Sequence, residues 1–146
     1  MDKDIYLHVS SKDSILYFPQ NRPALFRVKL NTTLNLEGTW QVGLCSIFFK
    51  KVNLQTTASV QPSVLFIACN VCSGLIVDGV QTRILRSIDI SVNVSKDYSL
   101  IYYVPIEVRY IDNIEFSITT DLLAEALFST EDVIGTASMI IHLKRK

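Results

Sequence analysis

The sequence is short of the residues that many functions depend on. Its five glycines and four prolines are scattered singly through 146 residues. There is therefore no glycine-rich phosphate loop and no repeat, low-complexity tract or linker to mark an internal boundary. The three cysteines, Cys45, Cys69 and Cys72, form an odd set without a secreted disulfide framework. Charge is also scarce. Charged residues make up 19%, and 14 Lys+Arg balance 14 Asp+Glu. Net zero charge gives no general attraction to phosphate, which excludes a strongly basic nucleic-acid binder. Long apolar runs are missing too, since Ser63–Cys69 and Ile134–Leu143 break far short of the roughly 20 residues of a spanning helix. Met1-Asp2-Lys3-Asp4 places acids where a signal peptide has a basic region, and no apolar segment follows. A soluble protein made in a reducing compartment is expected, with Asn31-Thr32-Thr33 and Asn93-Val94-Ser95 unglycosylated despite matching the acceptor pattern.

What is present is strand-forming sequence. Hydrophobic residues reach 49%, far from the disordered regime of low hydropathy and high net charge. A chain of this length buries roughly 70% of its unfolded surface as one domain, so residues 1–146 are read as a single unit. Val, Ile and Thr supply 40 of the 146 residues and Ala only 6, a bias that favours pleated strands over helices. Alternation agrees at Ile5/Leu7/Val9, Phe26/Val28/Leu30, Trp40/Val42/Leu44 (extending toward Ser46), Ile88/Ile90/Val92/Val94 and Ile114/Phe116/Ile118. Val64–Val71 and Met139–Leu143 are more continuously apolar. Turn signals separate these runs, and Asp78-Gly79 is the best hairpin candidate. Only 121–128 has a helical pattern, with Leu122, Leu123, Ala126 and Leu127 on one side and Asp121 as a cap. About eight strands and one short helix predict an all-β sandwich, jelly roll or barrel.

Few constellations suggest chemistry. Cys69-Asn70-Val71-Cys72 is half of a zinc site, and only Cys45, His8 and His142 remain to complete one. A redox pair normally sits at a helix N-terminus, whereas these residues lie in a strand-like run, so they read as buried inert thiols. His8 and His142 each lie in an alternating strand where a carboxylate partner is open to either, but no nucleophile elbow completes a triad. Glu107, Asp112, Glu115, Asp121, Glu125, Glu131 and Asp132 fall mostly in turns and on wet strand faces. No catalytic, metal or cofactor site is assigned. The chain ends Lys144-Arg145-Lys146, a solubilising end whose one other use would be nonspecific phosphate contact.

Two aromatic doublets are more informative. Neighbouring side chains on a strand point to opposite faces, so Phe48-Phe49 and Tyr102-Tyr103 each send one ring inward and one outward. We assign Phe48 and Tyr102 to the interior, with the reverse parity also open. The outer rings, Phe49 and Tyr103, then lie either beneath another segment of the chain or in contact with a neighbouring molecule, where Phe and Tyr are enriched and charges depleted. The alternative is a β-sandwich binding module with Tyr98, Tyr102, Tyr103 and Tyr110 on one rim.

Two segments also carry a family resemblance. The first runs Pro23-Ala24-Leu25-Phe26-Arg27-Val28-Lys29-Leu30, then Leu34-Asn35-Leu36-Glu37-Gly38-Thr39-Trp40-Gln41-Val42-Gly43-Leu44: a strand, a Leu-x-Leu-x-Gly turn and a Trp-led strand. The second is Asn113-Ile114-Glu115-Phe116-Ser117-Ile118-Thr119, with a closing strand ending Ile140-Ile141-His142-Leu143-Lys144-Arg145. Both resemble the minor capsid (penton) proteins of Polinton/Maverick elements and adintoviruses. That family often has a tight turn before the last strand, where this chain has the longer 121–135 segment. The resemblance implies a single jelly roll of two four-stranded antiparallel sheets. It also implies homopentamers at the vertices of a virion capsid, trimers of a double jelly-roll major capsid protein around them, and no cofactor or catalytic residue.

Overall fold

Branched side chains at every second position settle where the chain is extended, and the pairing partners settle how it is layered. The computed structural model describes residues 4–22, 25–49, 64–74, 76–77, 79–89, 94–120, 124–125 and 137–146. One sheet contains β1 (Asp4–Ser10), β3 (Trp40–Phe49), β8 (Val94–Asp97) and β12 (Ser138–Arg145) in the order β1-β12-β3-β8, with β9 (Val104–Pro105) also pairing β3. The other contains β2 (Leu25–Asn35), β4 (Val64–Cys69), β7 (Ile84–Asp89) and β10 (Tyr110–Thr120) in the order β2-β10-β4-β7, with β11 (Ala124–Glu125) at the end of β10. A small hairpin, β5 (Ile76–Val77) and β6 (Val80–Gln81), sits between β4 and β7. Every strand pairing among the described residues is antiparallel.

The chain alternates between the sheets, β1 to β2 to β3 to β4, then β7 to β8 to β10 to β12, and its first and last long strands lie side by side. This is the eight-stranded, two-sheet jelly roll. Both sheets contribute to one core, in which Phe26 and Phe116 sit opposite each other with ring centroids 5.5 Å apart. At the Glu37-Gly38 turn, Gly38 has φ 97°, and Trp40 Nε1–H donates to the Glu37 carbonyl at 3.0 Å, which seats the indole as β3 begins. The expected Asp-Gly hairpin is present, with Gly79 at φ 78° between β5 and β6.

Three local expectations are corrected. Alternation over 88–94 predicts one strand, yet Ile88 belongs to β7 and Val94 to β8, in different sheets; 90–93 lie outside the described residues. Period-2 patterning reports which face is buried and is blind to the sheet that buries it. In the segment read as a helix, 121–128, the two described residues Ala124 and Glu125 are extended and pair with Thr120 and Thr119. A two-turn helix is too short to hold by itself against such pairing. The third correction concerns β3. Opposite β12, Ile140 pairs with Ser46 and Ile141 with Leu44, leaving Cys45 as an extra residue. This bulge reverses the side-chain parity: Trp40, Val42 and Leu44 point inward before it, and Ile47 and Phe49 after it.

Candidate functional site

The outer face of the first sheet carries the most structured group of polar and aromatic side chains. Met139, Ile141 and Leu143 of β12 point into the core, so Ile140 and His142 point out. His142 pairs with Tyr6 on one side and Gly43 on the other. Gly43 is required by close approach: a Cβ there would collide with Ile101 Cγ2 and come within 3.0 Å of the Tyr102 carbonyl and 3.2 Å of Tyr103 Cδ1. Its absence lets the 101–103 segment lie flat on the sheet and brings Tyr103 to His142.

The imidazole is held on all sides. Its Nδ1 lies 2.7 Å from the Tyr103 hydroxyl and its Nε2 2.7 Å from Asp4 Oδ1. Tyr6 stacks on the ring at 4.3 Å and 4°, and Tyr103 meets it edge-on at 5.5 Å. Burial, followed by Cys45, Tyr6 and Asp4, pushes the Tyr103 phenol up from its ordinary pKa. The Asp4 carboxylate can only accept, so Nε2–H donates to it, and in the neutral ring Nδ1 accepts from the Tyr103 hydroxyl. A protonated phenol is a poor nucleophile, and the chemistry this arrangement supplies is cross-linking: it ties the edge strand β1 and the 101–103 segment to β12.

Further along the same face, Phe48 is 44% exposed and Ile140 37%, with Tyr6 at 64% beyond them. A shallow depression of ≈ 90 Å³ is lined there by His8, Ser46, Phe48, Asp97 and Ile140. Phe49, assigned above as an outer ring, is instead fully buried because of the Cys45 bulge, and Phe48 is the outward ring. Tyr102 is likewise outward at 50% exposure, and Tyr103 is half-buried against His142. The Phe doublet thus splits its rings with the assignments exchanged, whereas Tyr102-Tyr103 lies outside a strand and Tyr103 rests on the outer face of the first sheet, not in the core.

Of the four tyrosines of the proposed rim, Tyr98 and Tyr102 share one cation and the other two have different partners. Arg86 of β7 sits over Tyr98 at 3.5 Å and Tyr102 at 4.5 Å while Nη1–H donates to the Leu100 carbonyl at 2.8 Å, clamping the 98–102 segment onto the second sheet. Burial raises the Tyr98 pKa, opposed by Arg86 and assisted by Asp89. Tyr103 faces His142, and Tyr110 is beneath Arg109. The carboxylates are equally dispersed among the described residues. Glu115 pairs with Arg27 at 2.7 Å and Glu107 with Arg83 at 3.5 Å; Asp121, Glu131 and Asp132 lie outside the described residues. Lys144 and Arg145 belong to β12, and Lys146 N–H donates to the Thr39 carbonyl at 2.8 Å, so this basic end is built into the sheet with its side chains exposed.

His142 lies in a strand, as its alternating pattern indicates, and the carboxylate it meets is Asp4. The Tyr103 contact had no local signal, because Gly43 and His142 meet only through the β3–β12 register. Among the described residues no group of three or more His, Cys, Asp or Glu side chains is placed to hold a metal, and no helix is long and apolar enough to cross a membrane.

No protein-family model and no curated protein matches the chain. Among solved structures, the Drosophila NLP-core, described for its pentamer formation and histone binding, overlaps at TM-score 0.37 and 6% identity over 98% of this chain and 99% of that one. A Gx-strain structure of infectious bursal disease virus overlaps at TM-score 0.28 and 10% identity, covering 99% of this chain and 33% of that one. The VP2 subviral particle of the same virus gives TM-score 0.28 and 7% identity, covering 99% and 33%. This chain thus spans about a third of those viral proteins. At such low scores and identities, nothing about its own assembly or activity follows from these overlaps.

Proposed function

We propose that this chain is a structural capsid subunit, a penton-type minor capsid protein of a Polinton/adintovirus-type element. Five copies close into a homopentamer at a virion vertex, beside trimers of a double jelly-roll major capsid protein. The observation that carries the reading is the coincidence of strand order with family resemblance. The segments that resemble the penton family occupy β2, β3, β10 and β12, and three of these are inner strands of the jelly roll. Jelly rolls serve as capsid and lectin domains, so the resemblance selects between uses of one fold. In this reading the work is geometric, and no residue is assigned a catalytic step. Protomers pack side by side through a head-to-tail interface that closes by fivefold rotation. Phe48 and Tyr102, both large and exposed, are the proposed contact rings.

Sedimentation over a concentration series tests the reading. A step from 16.5 kDa to about 82 kDa, the mass of a closed five-membered ring, is expected. A monomer at every concentration, or a dimer, would overturn self-assembly into pentamers. Phe48→Asp and Tyr102→Asp are expected to give folded monomer, and unchanged pentamer in both would remove these rings from the interface.

A further inference from the structure

Cys69 and Cys72 flank the turn Asn70–Val71 at the end of β4. The backbone around them is pinned on both sides. Cys69 N–H donates to the Arg83 carbonyl (3.0 Å), Ser73 N–H to Pro105 (2.9 Å) and Glu107 N–H to Val71 (3.0 Å). Corner residues of such a turn have Cα atoms within about 7 Å, close to the roughly 4.4–6.8 Å span of disulfides. The Cys72 thiol donates to the Cys69 carbonyl at 3.4 Å and to the Arg83 carbonyl at 3.6 Å.

The sulfurs are not equivalent. Cys72 lies beneath an open depression of ≈ 300 Å³ that it lines together with Ser73, Thr82, Arg83 and Glu107. The Arg83 guanidinium is fixed there by Nη1–H bonds to the Asn70 carbonyl (2.9 Å) and the Cys72 carbonyl (3.2 Å). The hydrogen bond from Cys69, then the Arg83 charge, lower the Cys72 pKa against burial and Glu107. Cys69 is held well above the ordinary thiol value by its bond with Cys72 and by burial. A fixed cation thus fills the role that a helix N-terminus fills in other dithiol sites.

We propose that Cys69 and Cys72 form a peroxide-reactive dithiol that closes to an intrachain disulfide. The Cys72 thiolate attacks one oxygen of hydrogen peroxide, the O–O bond breaks, and the departing hydroxide takes a proton from solvent to leave as water. Cys72 is then a sulfenic acid. The Cys69 sulfur attacks the Cys72 sulfur, the S–S bond forms, and the S–O bond breaks. The departing hydroxide leaves as water with the Cys69 proton. Two thiols are oxidised, and one peroxide is reduced to two waters. Hydrogen peroxide is little larger than water, which suits a covered sulfur beneath a shallow depression.

The test treats the folded 146-residue chain with excess hydrogen peroxide, quenches it, unfolds it and alkylates it with N-ethylmaleimide for intact-mass analysis. Untreated protein should take up one adduct on each of its three cysteines, whereas oxidised protein should take up a single adduct, on Cys45. The tryptic peptide holding Cys69 and Cys72 should be lighter by two hydrogens and regain them with dithiothreitol. In Cys69→Ser the reaction should stop at a Cys72 sulfenic acid that dimedone traps. Three adducts after peroxide treatment, or oxidation of Cys45 in place of the pair, would overturn the proposal.

Discussion

Phe48 and Phe49 are adjacent in sequence, yet the bulge at Cys45 assigns them opposite physical roles, and their truncation separates those roles quantitatively. Phe49 is fully buried in the core at the end of β3. Phe49→Ala removes a buried ring and leaves a cavity that the surrounding strands fill only partly, a loss of about 3–5 kcal/mol. For a chain of this size that corresponds to a fall in Tm of roughly 10 °C. Phe48, 44% exposed opposite Ser138 and Ser95, has only about half its surface to lose. Full burial of such a side chain is worth about 1.5–3 kcal/mol, so Phe48→Ala should cost about 1 kcal/mol. Urea denaturation with the monomer fraction held constant measures both. Equal losses, or a larger loss for Phe48→Ala, would refute the parity reversal and the packing derived from it.

Two further outcomes follow from the outer face and the clamp. Gly43→Val places a side chain where Ile101 and Tyr103 now lie, and overpacking of this kind should cost about 1–3 kcal/mol. It should also break the Tyr103–His142 contact, visible as a shift of the His142 ring resonances; wild-type stability with an unchanged ring spectrum would be the contrary result. Tyr98 and Tyr103 have raised pKa values in the folded state, with burial as the leading cause. Their contribution is fully present below the unfolded tyrosine value of about 10 and is lost as pH climbs through the folded values. The urea midpoint should therefore decline above that pH, and less steeply in Tyr98→Phe/Tyr103→Phe; identical declines would refute the assignment.

Legibility of the sequence depended on how local each cause is. Alternation marked β1, β2 and β10 because each has one wet and one buried face over its central residues. The Glu37-Gly38 and Asp78-Gly79 turns were readable because a positive φ leaves its mark in residue type. The inward ring of Phe48-Phe49 was not readable, since a bulge exists only relative to a partner strand, and that partner is β12. The Asp4–His142–Tyr103 cluster was hidden for the same reason. Its members come from β1, β12 and the segment before β9, and only the sheet order brings them together. The neighbour of the buried dithiol is a similar case: Cys69 and Cys72 were visible as a motif, but the Arg83 cation beside them arrives from across the β4–β7 pairing.

The nesting of strand pairs has a consequence for how the chain acquires its structure. Ala68 pairs with Ile84 across a short connection, whereas Phe26 waits for Phe116, and Asp4 for Lys144. Closing a loop costs entropy that grows with its length, and distant pairings are correspondingly slow to form. Once the small β5–β6 hairpin it encloses is set aside, the β4–β7 pair is therefore the earliest of the sheet pairings available during synthesis, and the outer pairings add around it. β1 comes off the ribosome first and joins its sheet last, through β12. Until then its apolar face and open edge are solvent-exposed, which makes the interval before β12 emerges the chain's period of greatest susceptibility to aggregation.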